Sequence, residues 1–292
     1  MRANLAALSL AIFAGATVCS AQYAPQSNVS SLKQPDVSYV YCSGFVSDPK
    51  IPDDIRIISG EQSDYKITYA RGDNVFINRG EDKGVKIGDR FTIARPDQDP
   101  ANEWFIGQYK LFKSMGTLYR DAGVVRVVNV QPKVSVAEVV FSCDYIQRGD
   151  IARPFEERPA PPFKDAAAFD HFAPVSGKPV GTVISAFDYH QLLGRGDTVY
   201  VNIGAEKGVK VGEYMRLFRH QGTTTEYAQE KIKGYQNEVY GFGSSPTKYQ
   251  WKDLPREVLG EGIVLNVTKN AATVLITYCT VALYAGDFVE IE

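Results

Sequence analysis

Apolar and polar residues alternate along this chain in short runs, and the period is two rather than 3.6. "DRFTIAR" puts apolar side chains at every second position, and "NVFIN" and "TVYVN" are short β-branched and aromatic runs between polar residues, patterns of strands rather than helices. The runs are β-branched or aromatic, and Gly-Asp, Pro or Asn steps separate them, which predicts strands joined by turns. No segment of ten or more residues carries a persuasive helical period, and "DAAAFDHF" predicts one helical turn at most. The pattern therefore predicts an all-β fold.

The strands come in two sets. "RGDNVFINRGEDKGVKIG" from Arg71 aligns without a gap on "RGDTVYVNIGAEKGVKVG" from Arg195, with eleven of eighteen positions identical. A second block follows in each set: "GVVRVVNVQPKVSVAEVVFSCDYIQRGDIARPF" from Gly123 and "GIVLNVTKNAATVLITYCTVALYAGDFVEIE" from Gly262. Both blocks run strand, polar turn, strand, cysteine, Gly-Asp, short strand, which is how hairpins are written. Two blocks in the same order predict an internal duplication. Each copy is expected to be a small closed or half-closed β-barrel, an arrangement that hides sheet edges.

Gly-Asp recurs at 72–73, 88–89, 149–150, 196–197 and 286–287. Three of these steps read Arg-Gly-Asp, a tripeptide that also serves as a cell-adhesion signal. Ile87 and Ala285 stand where the arginine would be in the other two, so the arginine reads as incidental and the pair as a chain-reversal device. Gly72 and Gly196 can reach backbone angles closed to other residues, while Asp73 and Asp197 are expected to bond the backbone two residues on. The glycines spaced by four, Gly80, Gly84 and Gly88 with Gly204, Gly208 and Gly212, are too polar in context for a membrane helix and lack the Lys-Ser/Thr of a phosphate loop. They predict a tight loop that drops Val85 or Val209 into the core.

Composition and charge then bound the setting. Arg2, the apolar run Leu5–Val18 and the small residues of Cys19-Ser20-Ala21 read as an export signal over residues 1–21, with lipidation at Cys19 as the lesser alternative. The run is short for a membrane span, and no other stretch predicts one. The exported chain carries a formal charge of −3, since its one lost ion is Arg2, which leaves no basic excess for nucleic acid. At 44% hydrophobic residues the chain can build real cores. The expected division is a Ser/Gln/Asn-rich tether over 22–36, a first barrel domain over 37–155, a Pro-rich linker over 156–175 and a second barrel domain over 176–292.

The segments "VFINRGEDKGVKIGDRFTIAR" and "VYVNIGAEKGVKVGEYMRLFR" resemble the C-terminal β-barrel module of flagellar assembly protein T, related forms of which occur in other exported bacterial envelope proteins. The matching residues are Val75, Ile77, Gly80, Gly84, Val85 and Gly88-Asp89, and again Val199, Val201, Gly204, Gly208, Val209 and Gly212-Glu213. The resemblance covers some 25 residues of each copy. It implies a non-catalytic assembly module of the periplasm. The chain departs from that family in having two copies and no recognisable middle domain.

Three cysteines remain beyond the signal. Cys143 has a counterpart in Cys279, but Val175 stands where the second copy would match Cys42. A Cys42–Cys143 disulfide is expected, stabilising the first domain by up to roughly 4–5 kcal/mol on a chain-entropy estimate. Cys279 is then a buried unpaired thiol; three free thiols is the competing account. Among candidate catalytic groups, His171, His190 and His220 lie in no metal-ligand spacing and accompany no nucleophile motif. No enzyme activity, metal or cofactor is read here. A binding role draws on the aromatic-rich excursion of copy two, from 220 to 259, with Tyr227, Tyr235, Tyr240, Phe242, Tyr249 and Trp251, and on the shorter one of copy one with Trp104, Phe105, Tyr109 and Phe112. Two readings follow: an envelope protein that binds another protein or self-associates, or a module that binds cell-wall glycan through those rings. The same rings packed over the barrel ends as a satellite core is the plainer alternative.

Overall fold

The computed structural model describes residues 34–97, 104–164, 169–220 and 255–292. A short helix α1 (Val37–Cys42) opens this part, capped by the Asp36 carboxylate on the Ser38 amide. The first copy then forms β1 (Phe45–Ser47), β2 (Ile57–Gly60), β3 (Thr68–Tyr69), β4 (Asn74–Ile77), β5 (Arg90–Pro96), helix α2 (Gln108–Met115), β6 (Thr117–Val130), β7 (Ser135–Ser142), β8 (Ile146–Gln147) and β9 (Ile151–Pro154). The second copy repeats the series as β10 (Val180–Ala186), β11 (Leu192–Leu193), β12 (Thr198–Val201), β13 (Tyr214–Arg219), β14 (Glu257–Val267), β15 (Ala272–Cys279), β16 (Leu283–Tyr284) and β17 (Phe288–Ile291).

Strand order is the same in both halves. The first sheet runs β2-β4-β7-β6-β5-β9 with β1 added beside β6, and the second runs β10-β12-β15-β14-β13-β17. The second closes into a barrel through the β10–β17 ladder. The first curls the same way, but β2 and β9 meet through one bridge, Arg56 to Ile151, and a few backbone bonds around Ile57. The fold is thus two small β-barrel units in tandem, one closed and one half closed, as the duplication predicts. Each interior is filled by the inward residues of alternating strands: Val75, Ile77, Ile93, Val125 and Val139 in the first, Val199, Val201, Leu217, Val274 and Val289 in the second.

The repeated loops also match. After β4 and β12 the chain makes a 3-10 turn at Glu81–Lys83 and at Ala205–Lys207. Val85 and Val209 then enter their cores. Glycine is required at the start of each loop by proximity: a Cβ on Gly80 would lie 2.2 Å from the Gln131 carbonyl, and one on Gly204 would lie 2.4 Å from that of Thr268.

A buried ion pair recurs at the closing seam. Arg95 grips Asp150 through Nε at 2.7 Å and a terminal nitrogen at 2.8 Å, and Arg219 grips Asp287 at 2.7 and 2.6 Å. Both carboxylates are 1% exposed. Such a pair costs desolvation, yet stripping one partner leaves a charge in the core.

The two halves are welded together. Phe105, Phe112, Met115, Leu118 and Val46 of the first copy share one buried cluster with Ile184, Tyr200, Ala271 and Ala285 of the second. Polar contacts frame it: the Tyr200 hydroxyl donates to the Ser43 carbonyl at 2.9 Å, Thr273 Oγ1 to that of Gly44 at 3.2 Å, and Gln108 Nε2 to that of Ile184 at 2.6 Å. Cys42 and Cys143 form the expected disulfide, which ties the end of α1 to the end of β7 across 101 positions. Cys279 is free but only half-buried at the tip of β15, where a strand end cannot enclose it as its apolar neighbours predicted. The chain between the barrels has no regular structure in its described residues, yet it is held down. Arg158 reaches Asp121 and Arg256 reaches the Ala173 carbonyl and Glu290.

Replacing Arg219 with Met is expected to cost about 3–5 kcal/mol in urea unfolding, because Asp287 is left charged and enclosed. Adding Asp287→Asn to that variant should recover part of the loss. A single-variant cost below about 1 kcal/mol, the scale of a surface pair, would show the clamp to be dispensable.

Candidate functional site

The Gly-Asp steps are the first candidates, and the structure gives them one shared geometry. Each acidic side chain accepts a bond from the amide three residues earlier: Asp73 from Ala70, Asp89 from Lys86, Asp150 from Gln147, Asp197 from Gly194 and Asp287 from Tyr284, all at 2.7–2.9 Å. Gly212-Glu213 makes a sixth corner of the same kind, with Glu213 accepting from Lys210 at 2.9 Å. The bond points backward, not two residues on as the composition of the turn suggested. A glycine φ of 86–101° at these corners folds the acid over the amide that opens the turn. Glycine and acid then exchange backbone bonds with a single residue of a neighbouring strand, Val139 for 72–73 and Ile276 for 196–197.

These bonds bear on the Arg-Gly-Asp question. Recognition of that tripeptide needs a free carboxylate beside a free guanidinium. Arg71, Arg148 and Arg195 are exposed, but Asp150 is enclosed and clamped by Arg95. Asp73 is held by Ala70 and by Lys66 at 2.7 Å. Burial tends to raise the Asp73 carboxyl, but the bonds from Lys66 and Ala70 outweigh it and hold it below the usual carboxylate value. Asp197 is shared between the Gly194 amide and His190 Nε2 at 3.2 Å.

The aromatic candidates divide. Trp104 is half-buried against the cluster between the barrels, and its amide donates to Gln108 Oε1 at 2.6 Å. With Phe105 and Phe112 it serves the joint. These described rings of the shorter excursion are thereby packed in the cluster between the barrels. Tyr227, Tyr235, Tyr240, Phe242, Tyr249 and Trp251 lie outside the described residues, as do the signal, Cys19 and most of the tether. Residues 165–168 of "DAAAFDHF" do too. What is described is the base from which the longer excursion leaves and returns. There Phe218, His220 and Phe288 meet ring to ring at 5.2–5.6 Å, and the Arg256 guanidinium lies 4.6 Å from the Phe218 ring. Burial and the nearby Arg256 cation hold the His220 pKa below its ordinary value.

Neither family models nor curated proteins match this sequence. The site must be read from its own geometry.

Hollows open on the described surface, two of them beside charged groups. One, of about 320 Å³, lies between α1 and the β10–β12 turn, with Tyr39, Ser43, Asp188, His190 and Asp197 on its walls. The other, of about 630 Å³, is an open basin on the first barrel whose lining includes Arg79, Lys83, Arg90, Phe91 and Phe155. Asp188 and His190 are exposed residues on the wall of the first hollow. Among the described residues, no group of three His, Cys, Asp or Glu side chains could hold a metal ion. Among them also, no helix is long and apolar enough to cross a membrane. The sequence missed α1, α2 and the joint. Asp36 as a capping residue was a signal for α1, whereas the joint is made by contacts that no local pattern encodes.

Two outcomes are expected. Asp197→Glu should cost about 1 kcal/mol through the displaced corner bond and leave cell attachment unchanged; lost attachment with intact folding would reverse the reading of these tripeptides. For His220, a depressed folded pKa means its stabilising share is complete above the unfolded value of 6.5 and is lost as pH falls through the folded value. The urea midpoint of the protein should drop on acidification below 6.5, and His220→Gln should flatten that part of the profile.

Proposed function

We propose that this chain is a non-catalytic, exported protein of the bacterial cell envelope that acts as a structural or protein-interaction module. The observation that carries this reading is where the chemistry has gone. Both barrel interiors are filled by apolar side chains, and the enclosed acids Asp121, Asp150, Asp287 and Glu290 are each engaged by an arginine. A body built this way offers its surfaces and loops for contact. The disulfide suits an oxidising compartment, in keeping with the leader-like first 21 residues. The resemblance to the barrel module of flagellar assembly protein T supports an assembly role in the periplasm.

A second reading, binding of peptidoglycan through the excursion of copy two, draws on its aromatic composition and on the ring cluster at its base. One experiment separates the two. Purified protein is sedimented with isolated cell-wall glycan, and in parallel a photo-crosslinking residue within 221–254 is activated in living cells. A crosslink to an envelope protein, with no glycan co-sedimentation, is the expected result. Co-sedimentation that disappears in Tyr249→Ala with Trp251→Ala would replace the first reading with the second.

A further inference from the structure

The duplication makes the two barrels comparable position by position, and one face differs. On the second barrel, Ile184 sits in a bulge of β10 beside Tyr200 of β12 and Thr273 of β15. Ile184 and Tyr200 are 0% exposed and Thr273 2%. Ile184 and Tyr200 share a buried cluster with Phe105, Phe112 and Met115 of the first copy's excursion between β5 and β6 and with Val46 of β1, and Thr273 bonds the Gly44 carbonyl.

The matching face of the first barrel is Ile58 in the same bulge of β2, Phe76 of β4 and Val136 of β7. These residues point away from the core formed by Ile57, Val75, Ile77 and Ala137. Here Ile58 is 39% exposed, and Phe76 and Val136 are only half-buried. The adjoining loop adds Tyr65 at 86% and Ile67 at 79% exposure. Its counterpart on the second barrel, with Phe187 and Tyr189, packs against the joint. So the first barrel keeps an apolar docking face of the kind its twin has covered.

We infer that this face receives the β13–β14 excursion, residues 221–254, of a second copy of the chain, giving head-to-tail self-association. The proposal rests on the reading of the chain as an interaction module. The occupant follows from position in the repeat. In copy one the excursion between the fifth and sixth strands of the series seats on the next barrel along the chain. Copy two carries its excursion between the equivalent strands, with Tyr235, Tyr240, Phe242, Tyr249 and Trp251 in it, and among the described residues no further barrel follows for it to seat on. Repeating the internal relation across molecules makes a heterologous contact, which continues into rings or filaments rather than stopping at a symmetric pair.

Sedimentation velocity of the purified protein over a range of concentrations tests this. The wild type is expected to grow beyond a dimer as concentration rises. Ile58→Asp with Ile67→Asp should weaken association at least about tenfold, and replacing 221–254 by a short Gly-Ser bridge should abolish it. Mixing these two variants should yield a one-to-one heterodimer and nothing larger, since each supplies what the other lacks. If the bridged variant fails to fold, Tyr249→Ser with Trp251→Ser takes its place. Self-association that survives the loss of the excursion would mean a face-to-face contact and overturn the assignment. A wild type that stays monomeric while still crosslinking to an envelope partner would overturn it too, leaving the broader functional reading in place.

Discussion

A carboxylate that closes its own turn is the contact from which the architecture follows. Small barrels need abrupt changes of strand direction, and each change leaves backbone groups at the corner to be satisfied. Here a glycine with positive φ bends the chain, the following acid bonds the amide three residues back, and glycine and acid together join one residue of a neighbouring strand. Corner and ladder are therefore a single unit. At the closing seam the same acid takes on a further duty, since Asp150 and Asp287 also hold Arg95 and Arg219. Bend, strand pairing and barrel closure meet on one side chain in each half.

Much of this was legible because it is local. Alternation of apolar residues marks strands within a few positions, and the repeat multiplies the signal, so fold class and duplication follow from the residues alone. The Cys42–Cys143 pairing was legible from the unmatched cysteine of copy one. What escaped is non-local or marginal. Helix α2 is eight residues long and starts from Gly107 with no side-chain cap, so it has little local support. Burial of Phe112 and Met115 against the other barrel, about 1.5–3 kcal/mol for each ring or side chain, outweighs a missing cap of about 1 kcal/mol. Helix α1 is shorter still and is tied by Cys42 and by the Asp121–Arg158 contact beside Gly44. Trp104 could not be told from a binding residue by its sequence, because the surface it meets lies in the other copy.

Divergence between the copies shows how a joint arises from equal parts. Phe76 and Tyr200 occupy the same place, and the added hydroxyl of Tyr200 reaches the Ser43 carbonyl. Burial drives that phenol's pKa well above its ordinary value, with the Asp121 charge adding to the effect, so it stays a neutral donor. Gly44 completes the fit, since a Cβ there would stand 2.6 Å from the Tyr200 oxygen. One hydroxyl and one missing methyl fit the welded face to the segment that covers it.

The joint also has a direction in time. Its inserting side, Ser43 to Leu118, is upstream of the face that receives it, which begins at Ile184. A ribosome therefore finishes the plug before it starts the socket. The later half never has to wait for its mate, because the part it encloses is already made.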